Sequence, residues 1–262
     1  FAFRPTGSTT AALVYLLHNV YTMFEEGNEY VRCIMVDYSK AFDVINHPIL
    51  LNELAGLGLK RSIFSWIADF LTGRTQAVKY NNMISSFMPI SRSIVQGSGL
   101  GPTLYIALAR KLKPLSDKNK LPKYADDTSL LVPQHTDCSI EREFQHINDW
   151  SVDNKLVINV NKTKEIIFWR SSKASKKFDI PELPEIERVD QAKLLGVILT
   201  SSLSWTAHID FILSSVSQRF YLLNQLKQMS LGLSGLGDVF RALVISRVTY
   251  ALPAFSGNIS KS

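Results

Sequence analysis

KYADDTSLL, residues 123–131, is the stretch on which the reading of this chain turns. Asp126 and Asp127 stand side by side between two short apolar runs, 121–125 and 128–132, whose length and composition suit strands. An acidic pair at the tip of a hairpin keeps its carboxylates near solvent while fixing their direction. A divalent cation asks for that arrangement: hard oxygen ligands, aimed in advance, with room left for water and substrate phosphates. The dipeptide alone describes an ordinary turn equally well, because Asp is frequent in turns. Stretches elsewhere in the chain decide between the two.

The run VRCIMV, 31–36, reads as a buried strand that delivers Asp37 at its carboxyl end, a rigid place for a ligand. A lone acid there also serves as a plain strand-end cap. Upstream, FRPTGSTT puts Ser8 or Thr9 at a helix N-cap. Leu13, Leu16, Leu17, Val20, Tyr21 and Phe24 then recur at helical spacing, so an amphipathic helix is expected over 9–26, closed by Gly27-Asn28. Arg4, just ahead of it, faces either a phosphate or a surface carboxylate. Helical patterns follow at 48–57 and 63–71. A hairpin with arms 76–80 and 86–90 is expected about the turn-prone pair Asn81-Asn82. QGSGLGP, 96–102, implies a tight loop that lets backbone approach a ligand, with Gln96 offering both donor and acceptor and Pro102 opening a helix over 102–112. A glycine-rich loop by itself is equally a plain strand-to-helix connection.

With 262 residues, 46% hydrophobic and 20% charged, the chain has enough apolar side chain for a sizeable core. No apolar run reaches the length of a membrane-spanning helix. The chain begins at Phe1 with no signal peptide and reads as a fragment of something longer. Cys33 and Cys138 lie far apart, which argues against a disulfide framework or a zinc site. A net charge of +6 favours a polyanionic partner. Basic residues gather at 110–123 and 170–177, as they do in solvated loops and in nucleic-acid contacts alike.

Taken in order, FRPTGST, DYSKAFD, QGSGLGP and YADD resemble a reverse transcriptase, of the kind found in non-LTR (LINE-type) retrotransposons. INVNKTK at 158–164 and KLLGVILTSSLSW at 193–205 extend the resemblance across most of the chain. It implies an α/β (α+β) fold: a polymerase palm, residues 1–203, with a four-strand-like antiparallel core backed by helices and part of the fingers, then a helical thumb from 204 to 262. Leu213, Val216, Phe220, Leu223 and Leu226 fit one face of a thumb helix. The resemblance further implies two Mg²⁺ ions (Mn²⁺ as a substitute) held by Asp37 and Asp126, with Asp127 as an outer ligand. Tyr38 would offer backbone groups to metal and triphosphate. Phe42, five residues past Asp37, matches the bulky position that excludes a ribose 2′-hydroxyl; a core Phe is the plain alternative. Gln96 and Gly97 match the loop beside the incoming nucleotide. Lys162 matches a lysine near the pyrophosphate leaving group. Leu195 and Gly196, with Arg4, would contact nucleic acid.

The implied partners are an RNA template, a DNA primer and deoxynucleoside triphosphates, with an endonuclease domain elsewhere in the full-length protein. The nucleus and cytoplasm are the expected location. The chain also departs from the family pattern. Ser93-Ile94-Val95 stands where the family has Gly-Val-Pro, ALARKLKPL follows Pro102 where another helix end is usual, and the basic fingers strands ahead of FRPTGST are absent. Two rivals stay open: an RNA-dependent RNA polymerase, and a non-catalytic nucleic-acid-binding fragment of a retroelement.

Overall fold

The computed structural model describes residues 1–95 and 97–258. The Ser8 side chain accepts from the Ala11 N–H and starts α1 (Thr9–Glu25), whose apolar stripe from Leu13 to Phe24 is buried. Gly27, at φ +96, turns the chain out of the helix and into β1 (Tyr30–Val36). Asn46 caps α2 (His47–Ala55), and α3 (Arg61–Leu71) follows. Four short strands come next: β2 (Thr75–Gln76), β3 (Lys79–Tyr80), β4 (Met83–Ile84) and β5 (Met88–Pro89). Asn81 and Asn82 both have positive φ, 43 and 63, as a type I′ turn requires. The expected hairpin is therefore present but broken into two ladders, β3–β4 at its tip and β2–β5 at its base.

Pro102 lies in the first turn of α4 (Gly101–Ala109), which ends three residues short of the expected 112. Then come β6 (Lys123–Tyr124), β7 (Asp127–Pro133), α5 (Ile140–Asp153), β8 (Lys164–Trp169), α6 (Ser172–Lys177) and β9 (Glu187–Arg188). The hairpin β10 (Gln191–Leu194) and β11 (Val197–Thr200) leads to α7 (Thr206–Gln228) and α8 (Leu233–Phe240). A π-helical turn, Arg241–Ile245, joins α8 to α9 (Ser246–Thr249) and then α10 (Leu252–Phe255). Among the described residues no helix is long and apolar enough to cross a membrane.

The central sheet has the order β6-β7-β1-β8-β9. It contains the expected four antiparallel strands, β6, β7, β1 and β8, and adds a fifth, β9, that pairs with β8 in parallel. β1 lies in the middle and is covered on both faces, so its sequence is apolar almost throughout rather than alternating. One face, with Ile34, Val36, Leu130 and Val132, packs on α2, α4 and α5. The other, with Val31, Cys33, Leu131, Ile166 and Phe168, packs on α1, the β10–β11 hairpin and Trp205. On the first face Glu165 is wholly buried between the Nε groups of Arg32, at 2.6 Å, and Arg188, at 2.8 Å. That ion triad ties β1, β8 and β9 together, with Glu165 opposite Ile34 and beside Arg188. In α7 the expected apolar face is split: Leu213 is 57% exposed and Phe220 48%, while Val216, Leu223 and Leu226 are half-buried. The residues that α7 buries are His208 and Ser215. Periodicity names the stripe, but only the neighbours available decide how much of it is covered.

Candidate active site

Asp37 leaves β1 and is held by a single turn of chain, 157–163. Ser39 N–H donates to Val157 C=O and Asn159 N–H donates to Asp37 C=O, both at 2.8 Å, which makes Tyr38 and Ile158 an antiparallel bridge. In such a bridge the central residue's own N–H and C=O point away from the partner. The free peptide edge of Tyr38 thus faces the β7 side, while its ring is buried in the core. Asp37 N–H donates to Thr163 Oγ1 at 3.2 Å. The Thr163 hydroxyl donates onward to Asn159 C=O at 3.0 Å and is fully buried. Both peptide groups flanking the Asp37 Cα are therefore anchored.

Asp126 and Asp127 occupy the hairpin that the sequence predicts, with its two-residue loop one position earlier than expected. Tyr124 pairs with Asp127, leaving Ala125 and Asp126 as a two-residue loop. Ala125 has φ 54 and Asp126 does not share that sign, the pattern of a type II′ turn, whose first central residue is by preference Gly. The β1–β7 ladder ends at Val36 paired with Thr128. One step further along the same register, Asp37 comes opposite Asp127. Asp126 is half-buried and Asp127 exposed. Burial raises the Asp126 carboxyl above its ordinary value and Asp37 adds to it. Burial also raises Asp127, with Asp126 and Asp37 adding. Three like charges thus crowd one end of the sheet.

Among the described residues no three His, Cys, Asp or Glu side chains close on one point as an all-protein metal cage would. The donors instead fit an open site. Mg²⁺ is held by one or two carboxylates, waters and substrate phosphates, and carboxylates that raise one another's pKa are the groups a cation relieves.

Phe42 is half-buried and stacks on Tyr105 of α4, with centroids 4.7 Å apart and planes at 28°. Burial pushes the Tyr105 hydroxyl pKa up, and Tyr38, Asp126 and Asp127 add to it. Ile94 N–H donates to Phe42 C=O at 2.9 Å, which binds the lead of the glycine loop to the DYSKAFD segment. Gly97 follows at φ +82 with open space on its Cβ side. Gln96 lies outside the described residues. A Cβ on Gly101 would meet Ile94 Cγ2 at 2.9 Å, so the close start of α4 requires glycine there.

Arg4 lines a cavity of about 170 Å³ with Arg110, Lys123, Tyr105 and Ala125, beside the acidic hairpin. Lys123 Nζ donates to Ala109 C=O at 2.6 Å and Leu112 C=O at 2.7 Å, closing the end of α4. Burial, with Lys113 and Arg4, lowers its pKa to about 8. Leu195 shares a small cavity with Tyr124 and Asp127, so the tip of the β10–β11 hairpin reaches the acids. Tyr250 Oη donates to Leu195 C=O at 2.7 Å, and its ring lies over Gly196. Lys162 sits in the turn that grips Asp37, with its side chain exposed. A wider cleft of about 520 Å³, between α5 and residues 183–186, contains none of the acids.

Thr163, Tyr105, Lys123 and Tyr250 escape the sequence reading. Thr163 lies inside the quoted INVNKTK and Tyr105 three residues after Pro102, but neither chemistry nor spacing distinguishes them from core residues.

The sequence profile of the reverse transcriptase (RNA-dependent DNA polymerase) family matches residues 1–199. A probable RNA-directed DNA polymerase from transposon X-element of Drosophila melanogaster is 26% identical over 243 residues, 88% of this chain and 26% of its own length. The RNA-directed DNA polymerase from mobile element jockey of Drosophila funebris is 26% identical over 273 residues, 97% of this chain and 29% of its own. The chain thus spans about a quarter of the length of the curated relatives it matches. Among solved structures, telomerase from Candida tropicalis in complex with a TWJ fragment of telomeric RNA superposes with TM-score 0.56 at 14% identity, over 96% of this chain and 42% of that one. The likeness carries the fold, which agrees with the polymerase-type α/β architecture described above. With the ordered motifs, the acids at one sheet end and a profile that covers three quarters of its residues, this chain belongs to the reverse transcriptase (RNA-dependent DNA polymerase) family.

Proposed function

We propose that the chain is the polymerase centre of a non-LTR retrotransposon protein and copies an RNA template into DNA, adding deoxynucleotides to a primer 3′-hydroxyl and releasing pyrophosphate. The observation that carries the reading is Asp37 and the Asp126-Asp127 hairpin at one end of a palm-like sheet, in a chain matched by the family over 1–199. The family uses divalent cations. In this chain Asp37 and Asp126 would hold two Mg²⁺, or Mn²⁺ in their place, with Asp127 as outer ligand and the Tyr38 peptide edge facing the same side. When bound, such ions supply charge stabilisation at the reacting phosphorus and a lowered pKa for the attacking hydroxyl.

The protein's own residues orient the reactants. Thr163 and Asn159 fix Asp37. Phe42, backed by Tyr105, lies under the deoxyribose. Gln96 and Gly97 border the base, Lys162 meets the pyrophosphate, and Arg4 takes a phosphate. Leu195 and Gly196 support the primer end, and the support of that tip by Tyr250 favours this role. Residues 204–262 act as thumb. An endonuclease domain lies elsewhere in the full-length protein, which works in the nucleus and cytoplasm.

Primer extension by the full-length protein, on RNA and on DNA templates, with and without Mg²⁺, tests the reading. Deoxynucleotide addition on RNA that vanishes with Asp126→Asn is the expected result. Preference for ribonucleotides would turn the reading to an RNA polymerase, and no extension under any condition would turn it to a binding fragment.

A further inference from the structure

Behind the β10–β11 hairpin the structure gathers positive charge that the described residues do not answer. Lys193 of β10 brings Nζ to 4.7 Å from the centre of the Phe211 ring, and Arg247 of α9 brings Cζ to 5.6 Å from the same ring. With Gly196, His208, Ile212 and Tyr250 they line a pocket of about 230 Å³. Among the described residues neither cation forms an ion pair, although each of the other cations gathered in the core triad has a carboxylate. Two like charges therefore converge on one aromatic ring, with no counter-ion among the described residues.

His208 adds an unspent donor. It is 2% exposed, and its Nδ1 accepts from Ile198 N–H at 3.4 Å. The proton of the neutral ring accordingly belongs on Nε2, which is buried and has no hydrogen-bond partner. Burial, then Lys193 and Arg247, lowers the His208 pKa, so the ring stays neutral and keeps that N–H. Buried polar groups normally find partners, and the partner that satisfies two cations and an N–H donor at once is a compact anion with several acceptor oxygens.

The position of the pocket says which anion. Gly196 is part of its wall, and the adjoining Leu195 shares a cavity with Asp127. A nucleic-acid strand whose end lies at the acids must run past this hairpin tip, and its backbone carries a phosphate at every residue. We propose that Lys193, Arg247 and His208 form a binding pocket for one backbone phosphate of that strand. The proposal rests on the polymerase reading. It adds to that reading a phosphate site on the thumb side of the hairpin, reaching back from the tip residue Gly196 that forms part of its wall.

The test uses the full-length protein and an RNA–DNA primer–template. Lys193→Met with Arg247→Met should weaken binding about tenfold in moderate salt and reduce the slope of log affinity against log salt by about one, as the loss of one phosphate contact does. Lys173→Met with Lys176→Met, which removes the same charge from α6, should leave both unchanged. In a scan that replaces single phosphates by neutral methylphosphonate, one position in the strand should weaken binding to the parent and have no effect on the double variant. His208→Gln, which keeps a donor, should retain sensitivity at that position. A double variant that matches the parent in affinity and slope, while the parent binds and extends primers, overturns the pocket alone. Binding of inorganic phosphate to the parent and not to the double variant, with no sensitive strand position, assigns the pocket to a free anion and overturns the strand proposal. A parent that neither binds the duplex nor extends it overturns the polymerase reading and this proposal with it.

Discussion

Phe42 and Tyr105 stack at 4.7 Å between centroids, so the ring proposed to meet the sugar of an incoming nucleotide is backed by a buried tyrosine from another segment of the chain. Phe42 is half-buried against the core, with Tyr105 stacked on it. Shortening it to Val removes bulk and loosens the stack. Ribonucleotide use should rise relative to deoxynucleotide use by roughly tenfold, the scale of a steric discrimination of one to a few kcal/mol. Because the ring is only half-buried, the loss of stability should fall below the about 3–5 kcal/mol of a fully buried Phe. The measurement is the ratio of incorporation efficiencies for one base in its two sugar forms. An unchanged ratio with a lowered melting temperature would place Phe42 in the core alone.

Thr163 should act through Asp37. Thr163→Val keeps the shape but leaves the Asp37 N–H without its acceptor, at a cost of about 1–3 kcal/mol in stability. A displaced carboxylate loses far more in rate, on the order of a hundredfold for a shift near 1 Å. Thr163→Ser keeps the hydroxyl and should recover most of the activity. The readouts are primer-extension rate and the rise in melting temperature on adding Mg²⁺, both of which should fall in the Val variant and return in the Ser variant. Equal rates in parent and Val variant would make Thr163 a packing residue only.

Asp126→Asn should abolish nucleotide transfer while making the cation-free protein more stable at neutral pH. The sign follows from the raised pKa, caused by burial and by Asp37. A carboxyl whose folded pKa exceeds its unfolded value is bound to its proton more tightly in the folded state. Its contribution to stability is present below the unfolded value, about 3.9, and is lost as pH rises through the folded one. The Asn variant has no such loss. Its advantage in urea midpoint over the parent should therefore be larger at pH 7 than at pH 4, without divalent cations. A variant less stable than the parent at pH 7 would refute the charge-crowding account.

Ser93 stands where the family has glycine, and its backbone is at φ 89. A non-glycine residue in that region costs about 1–2 kcal/mol, whereas glycine brings about 0.5–1 kcal/mol of extra unfolded-state freedom. Ser93→Gly should stabilise the fold by about 0.5–1 kcal/mol. Ser93→Ala, which keeps the strain, should not. Chemical denaturation of the two variants checks this, and equal midpoints would mean that the position is unstrained.

The amino-acid sequence by itself determined the local elements and the family of this protein. Helix α1 with its Ser8 cap, the apolar strand that ends at Asp37, the Asn81-Asn82 turn and the Asp126-Asp127 hairpin all rest on periodicity and turn chemistry within a few residues. The ordered motifs then suffice for the fold, which the family profile and the telomerase likeness bear out. Tertiary structure decided whatever depends on neighbours distant in the chain. The parallel pairing of β9 joins two-residue segments too short to carry a pattern. The grip of Thr163 on Asp37, the Lys123 cap on α4 and the bond from Tyr250 to Leu195 each join residues that are ordinary in their own surroundings. Lys193 and Arg247 are two ordinary surface cations until α7 brings Phe211 within reach of both. Local propensity is written along the chain, whereas a shared electrostatic field is a property of distances that only the folded chain defines.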